Sequence, residues 1–219
     1  GDNMSYTYAQ LKSAIQNYAD NSETTFVDSI PDFIESAEQQ ILNSIDLQYF
    51  RKNVTGVTSG TGTNPYLQVP SDYLASFSLS ITNGTTKEFL LEKDVNYIQS
   101  VNPTSATGVP KYYAFFDIDN FILAPTPAAV YTAELHYFYR PNSLTSLGDS
   151  GTTWLSTNAP NAMLYGSLVE ANIYMKGEQD LQQLYTERFL RSLERLKDYG
   201  EARENSDAYR DGLPRRPRT

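Results

Sequence analysis

Few residues in this chain are equipped for covalent or metal chemistry. The 219 residues contain no cysteine and one histidine, His136. Disulfides, thiolate catalysis, cysteine-based zinc or iron–sulfur sites and a histidine-rich metal cage are therefore excluded. His136 sits inside an alternating strand pattern with no serine-nucleophile signal nearby, and reads as a structural histidine. Asp117, Asp119 and Asn120 begin like a calcium loop, but the later glycine and glutamate such a loop needs are absent. A hairpin turn between Phe116 and Phe121 accounts for them better. The acidic run Asp28, Asp32, Glu35 and Glu38 offers carboxylates of the kind glycoside hydrolysis uses in pairs. Its helical spacing on a polar face reads instead as a solvated surface. There is no glycine-rich phosphate loop, no GxSxG elbow and no HExxH. No catalytic residue, cofactor or metal is expected.

The remaining candidates are charges. Net charge is −9, so the molecule as a whole repels nucleic acid. No basic residue occurs between Lys12 and Arg51, whereas Asp20, Glu23, Asp28, Asp32, Glu35, Glu38 and Asp46 all fall there. The C-terminus reverses the sign, with Arg210, Arg215, Arg216 and Arg218 against a lone Asp211. Tyr209 is the only aromatic near them, so the segment lacks the interleaved rings of a nucleic-acid binder. A flexible Pro/Arg segment that orders on a protein partner fits better, with only transient contact to DNA. Seventeen tyrosines and ten phenylalanines suit sheet faces and protein interfaces. No apolar run approaches the roughly 20 residues of a membrane helix, and no signal-peptide core is present. A soluble protein made in a cytoplasm is expected.

The elements that must position these groups follow from periodicity. Tyr8, Leu11, Ile15 and Tyr18 mark one helix face. Ile30-Pro31-Asp32 signals the start of a second helix, because proline suits the first turn and Asp32 complements the dipole there. Ile34, Ala37, Ile41 and Ile45 carry that helix to about Leu47. Thr55 to Asn64 reads as a hairpin or loop. Short β-type runs follow at Tyr66–Val69 and at Tyr73–Ile81, where Phe77, Leu79 and Ile81 share a face. Asn83-Gly84 is a tight-turn signal. Phe89–Leu91, Tyr112–Phe116, Phe121–Leu123 and Tyr131–Tyr139 complete the β section, and Asp94–Ser100 is either a helical turn or a strand. In Tyr131–Tyr139 the odd positions form the buried face. Leu164, Leu168, Ala171 and Met175, then Leu181, Tyr185, Phe189, Leu193 and Leu196, stripe two further helices, with Glu187 and Arg191 one turn apart. Gly200 is the expected stop.

The layout predicts an α+β fold. Residues 1–50 and 148–204 supply N- and C-terminal helix pairs that pack into one helical bundle. An antiparallel β-rich insertion spans 51–147, and 205–219 forms a flexible, extended basic tail.

Particular stretches resemble a known family. Gly108-Val109-Pro110-Lys111-Tyr112-Tyr113-Ala114, followed by Asp119-Asn120-Phe121-Ile122-Leu123-Ala124-Pro125-Thr126-Pro127, resembles a hairpin of bacteriophage head–tail adaptor proteins. Tyr131 to Pro141 is similar to the strand that follows there. So are Leu144, Thr153 to Pro160, and the helix opening Leu164 to Ala171. Upstream, Ile30–Ile34 and Val69–Leu74 match in the same order. The resemblance implies a structural virion protein without enzymatic activity, located at the head–tail junction. It further implies a dodecameric homo-oligomeric ring bound beneath the portal, carrying the downstream tail or nozzle protein and letting DNA through its channel. The C-terminal segment of such proteins docks on the portal, which makes Tyr209, Arg210, Arg215, Arg216 and Arg218 the expected portal contacts. Two other readings compete. A β-rich tail-fibre or carbohydrate-binding module would expose an aromatic platform, and a carboxylate hydrolase would set two acids across a cleft.

Overall fold

The computed structural model describes residues 5–45 and 50–210, with side chains through residue 198. The chain folds as two compact units. One is built from its two ends, residues up to 49 and from 142 onward, and the other from residues 50–141.

The first unit is helical. Helix α1 (Tyr8–Ala19) opens with a capping box, in which Thr7 accepts from the Gln10 N–H while the Gln10 side chain accepts from the Thr7 N–H. It closes on Asp20 in the left-handed conformation (φ 47°) and buries Leu11 and Ile15. Helix α2 (Thr24–Ser44) departs from the expectation that Pro31 starts it, since Pro31 lies inside. The two turns upstream carry Phe26 and Ile30, both fully buried. Burying those side chains, at about 1.5–3 kcal/mol each, offsets the roughly 3 kcal/mol cost of an interior proline. Helix α2 ends at Ser44, and the expected extension to Leu47 lies outside the described residues.

Helix α4 (Trp154–Asn158) leads into helix α5 (Pro160–Tyr174), whose buried residues point nearly all round it: Ala162, Met163, Leu164, Gly166, Ser167, Leu168, Ala171 and Asn172. It is the central helix, packed by α1, α2, α4 and helix α6 (Gln179–Arg210). Gly166 marks the closest approach. A Cβ built there would stand 2.9 Å from both Ala37 Cβ on α2 and the Phe189 ring on α6. Helix α6 buries Tyr185, Phe189, Leu193 and Leu196, while Leu181 is exposed. Glu187 accepts from the Gln183 side chain (3.4 Å) and does not pair with Arg191. The helix also runs through Gly200, its expected stop, to Arg210. Glu201, Ala202, Arg203 and Glu204 are strong helix formers and absorb the roughly 1 kcal/mol that an interior glycine costs.

Among the described residues of this unit, one acid is buried. Glu38 on α2 accepts from the Leu144 N–H (2.8 Å) and so holds the 3-10 turn Leu144–Ser146. Burial raises its pKa, against hydrogen bonds from Ser143 and Leu144 that lower it. A carboxyl whose folded pKa is raised contributes most below its unfolded pKa, and that contribution is lost as pH rises through the folded value. Glu38→Gln keeps an acceptor for Leu144 and removes the charge. Its stability relative to the parent is therefore expected to rise between about pH 4 and about pH 7. Urea unfolding at the two pH values measures this, and a relative loss of stability at the higher pH would contradict it.

The second unit is two packed sheets. The first has the order β1-β10-β3-β4, all antiparallel, from β1 (Arg51–Val57), β10 (Thr132–Tyr139), β3 (Tyr73–Asn83) and β4 (Thr86–Phe89). The second has the order β2-β8-β7-β5, from β2 (Tyr66–Gln68), β8 (Asn120–Ala124), β7 (Tyr112–Phe115) and β5 (Leu91–Glu92). A short parallel pair, β6 (Thr107–Gly108) with β9 (Thr126–Pro127), and helix α3 (Val95–Val101) complete it. Asp94 caps α3 by accepting from the Tyr97 N–H, which settles Asp94–Ser100 as a helical turn. Gly84, at φ 61°, makes the expected tight turn between β3 and β4. The alternation of β10 is as the sequence indicates: Tyr131, Ala133, Leu135 and Tyr137 are buried and meet Leu79, Ile81, Tyr113, Phe121 and Leu123 in the core. The first residues of the expected loop, Thr55 to Val57, belong instead to β1, where all seven positions are exposed and pairing to β10 is the organising force.

Asp72, between β2 and β3, fastens one end of the first sheet. It receives Lys52 Nζ from β1 and the Tyr137 hydroxyl from β10, both at 2.7 Å. Partial desolvation works to raise the Asp72 pKa, but those two donors together hold it below the usual carboxylate range. Burial, reinforced by Asp72, pushes the Tyr137 hydroxyl up to about 12.

Candidate interaction surface

The outer face of the first sheet carries residues that the fold of this unit does not itself require. Strand β10 turns Thr132, Glu134, His136 and Phe138 away from the core. Across the ladder, Arg51 stands opposite Phe138 and Asn53 opposite His136. Strand β3 was expected to carry Phe77 on one face with Leu79 and Ile81. Its register instead shifts between His136 and Tyr137, so that Phe77 is an extra, bulged residue. The bulge reverses the alternation and leaves Phe77 55% exposed. A second shift, between Phe138 and Tyr139, leaves Leu74 outside as well.

The result is an aromatic cluster under a cation. The Phe77 ring centroid lies 5.0 Å from that of His136 and 6.3 Å from that of Phe138. The Arg51 guanidinium sits 5.2 Å from the Phe77 centroid and 5.9 Å from that of Phe138. Beside it, Glu134 accepts from Lys87 Nζ and Asn53 Nδ2, both at 2.6 Å. Those donors hold its carboxyl below the ordinary range. Phe89 on β4 is 64% exposed, with the Lys87 ammonium 5.7 Å from its ring centroid. Phenylalanine and arginine beside a polar, tethered rim is the composition of a protein interface.

The same geometry bears on the competing chemistries. A sugar platform needs flat, accessible ring faces, but Phe77 and Phe138 stand at 78° to each other with Arg51 near both. Asp117 accepts from the Asp119 N–H (2.9 Å) and from Asn120 Nδ2 (3.1 Å), which makes Asp117–Asn120 the turn of the β7–β8 hairpin. Ile118, at its tip, is 82% exposed. A cleft of about 1090 Å³ opens between β1, the β2 region and this hairpin, with Val54, Leu67, Val69, Phe121 and Leu135 among its lining. Asp119 is the one carboxylate that lines it, where paired-acid hydrolysis needs two.

Of the residues singled out in the sequence for portal binding, Tyr209 and Arg210 are the last two residues of α6, with side chains beyond those described. Arg215, Arg216 and Arg218 lie outside the described residues. Sequence reasoning missed Phe77 and Leu74, and the signal was slight: small Ala75 and Ser76 interrupt the alternation between them.

Comparison with known proteins supplies what geometry alone does not. A family model described as SU10 adaptor protein matches residues 6–218, which takes in both units and nearly the whole tail. The chain belongs to the SU10 adaptor protein family. No curated protein matches the sequence. Membership makes the protein a bacteriophage adaptor with a structural role at the head–tail junction. The matched span takes in most of the helical unit and all of the β unit.

Proposed function

We propose that this adaptor assembles as a dodecameric ring on the phage portal, within the virion, after synthesis in the host cytoplasm. The ring presents a platform for the downstream tail or nozzle protein, and the genome passes through its channel. The observation that carries the reading is the collinear family match over residues 6–218, in a chain with one histidine and no cysteine. The outer face around Phe77, Phe138 and Arg51 supports a protein partner on the β unit. A net charge of −9 favours DNA sliding past over DNA binding.

Portal docking falls to the C-terminal segment, through Tyr209, Arg210, Arg215, Arg216 and Arg218. Docking through this segment couples ring assembly to the presence of a portal. Ending the chain after Arg210 removes three of the four arginines while leaving α6 whole. That truncation is expected to reduce portal affinity at least roughly a hundredfold, as loss of several charge-assisted contacts would. Immobilised portal titrated with the two proteins gives the ratio. Equal affinities would sink the assignment of docking to this segment.

A further inference from the structure

Two helices of the first unit carry exposed charges of opposite sign at matching intervals. On α2, Asp28, Asp32 and Glu35 are all exposed, on the side opposite buried Phe26, Ile30, Ala37 and Ile41. No basic residue within the helix or near it in sequence neutralises them. On α6, Arg188, Arg191 and Arg195 are exposed along one flank, continuing the line of exposed Leu181 and Leu184. The acids are spaced by four and then three residues, and the arginines by three and then four. Laid antiparallel, the two stripes are in register: Asp28 meets Arg195, Asp32 meets Arg191 and Glu35 meets Arg188.

These charges do not satisfy one another within the chain. The three ion pairs among the described residues involve Lys12, Lys52 and Lys87. Asp28, Asp32, Arg191 and Arg195 take part in none of them. Helices α2 and α6 both pack on α5, yet their stripes face outward and do not meet. The two remaining members are held in place from behind. Glu35 accepts from the Thr145 hydroxyl (2.6 Å), and Arg188 donates to the Tyr165 hydroxyl (3.2 Å).

We infer that α2 of one copy docks antiparallel on α6 of the next, joining the acidic stripe to the arginine stripe. The occupant of each stripe is a second copy of this chain, because the complementary surface is present on the same molecule and out of its own reach. Such a contact uses different surfaces on the two partners and therefore propagates head to tail, closing when the rotation permits. It rests on the ring reading for that closure and deepens it by naming the contact. Exposed ion pairs are individually weak, so the contact is transient between free subunits and accumulates when copies are held side by side.

The absence of cysteine makes a direct test clean. The full-length Asp32→Cys/Arg191→Cys double variant, oxidised at low salt, is expected to give a ladder of disulfide-linked dimers, trimers and larger species. Raising the salt shortens the ladder. Charge reversal supplies an independent arm. Arg188→Glu/Arg191→Glu/Arg195→Glu and Asp28→Lys/Asp32→Lys/Glu35→Lys are each expected to assemble at least roughly tenfold less well alone, and to recover when mixed. No multimers, closed dimers only, or equal cross-linking by Asp32→Cys alone would each overturn the interface. If the parent still forms a ring on its portal in that case, the ring reading stands without this contact. If the parent forms none, both fall.

Discussion

Phe121→Ala is expected to destabilise the β unit by about 3–5 kcal/mol, the range for emptying a fully buried phenylalanine site. Phe121 is wholly buried, and its ring centroid lies 5.2 Å from that of Tyr73 and 5.7 Å from that of Tyr113, both edge-on. It belongs to β8 in the second sheet but packs in the core formed with Leu79, Ala133 and Leu135 of the first. Few neighbours can move into the space it would leave. Tyr113 is fixed by its strand and donates to Glu92 (3.3 Å), with burial pushing its hydroxyl up to about 12. Urea unfolding followed by near-ultraviolet tyrosine dichroism gives the value. A loss below about 1 kcal/mol would mean that the two sheets do not share this core.

Gly166→Leu is the corresponding change in the helical unit, and acts by overfilling. A Cβ alone meets Ala37 Cβ and the Phe189 ring at 2.9 Å, and a leucine has nowhere to put three further carbons. Overpacking of this kind costs on the order of 3 kcal/mol. The gain in helix propensity from replacing glycine, about 0.8–1 kcal/mol, recovers part of it. Trp154, the only tryptophan, lies in α4 against α5 and reports on this unit specifically. Its fluorescence transition in urea is expected to move to lower denaturant. An unchanged midpoint would show that α2 and α6 can part at Gly166 without cost. Since the acidic and arginine stripes ride on those same two helices, Gly166 also sets how both are presented.

What the sequence made legible was whatever depends on local pattern. Alternation along Tyr131–Tyr139 identified β10 and its buried face, and the spacing of Leu11 and Ile15 identified α1. Turn chemistry at Asn83-Gly84 and at Asp117–Asn120 was equally direct. Failures came where a local preference lost to packing. Pro31 is a good first-turn residue, but Phe26 and Ile30 had a core to enter, and the helix began seven residues earlier. Gly200 is a good stop, but helix formers on its far side carried α6 on. Strand β1 has no buried face at all, so periodicity could not reveal it; only its pairing with β10 does. Phe77 shows the sharpest case, because one bulged residue reverses every inward and outward assignment beyond it. The interaction surface was therefore invisible as a surface, although Arg51, His136 and Phe138 were each in plain view. The adaptor reading came from ordered motifs along the whole chain, not from any one site.

Ring formation on the portal is open to direct test. The purified protein, mixed with the portal from the same genome, would be weighed by light scattering and the complex imaged in negative stain. A stoichiometric complex with a second ring stacked on the portal is the expected result. An unchanged portal mass with free adaptor, at low and at physiological salt, would contradict it.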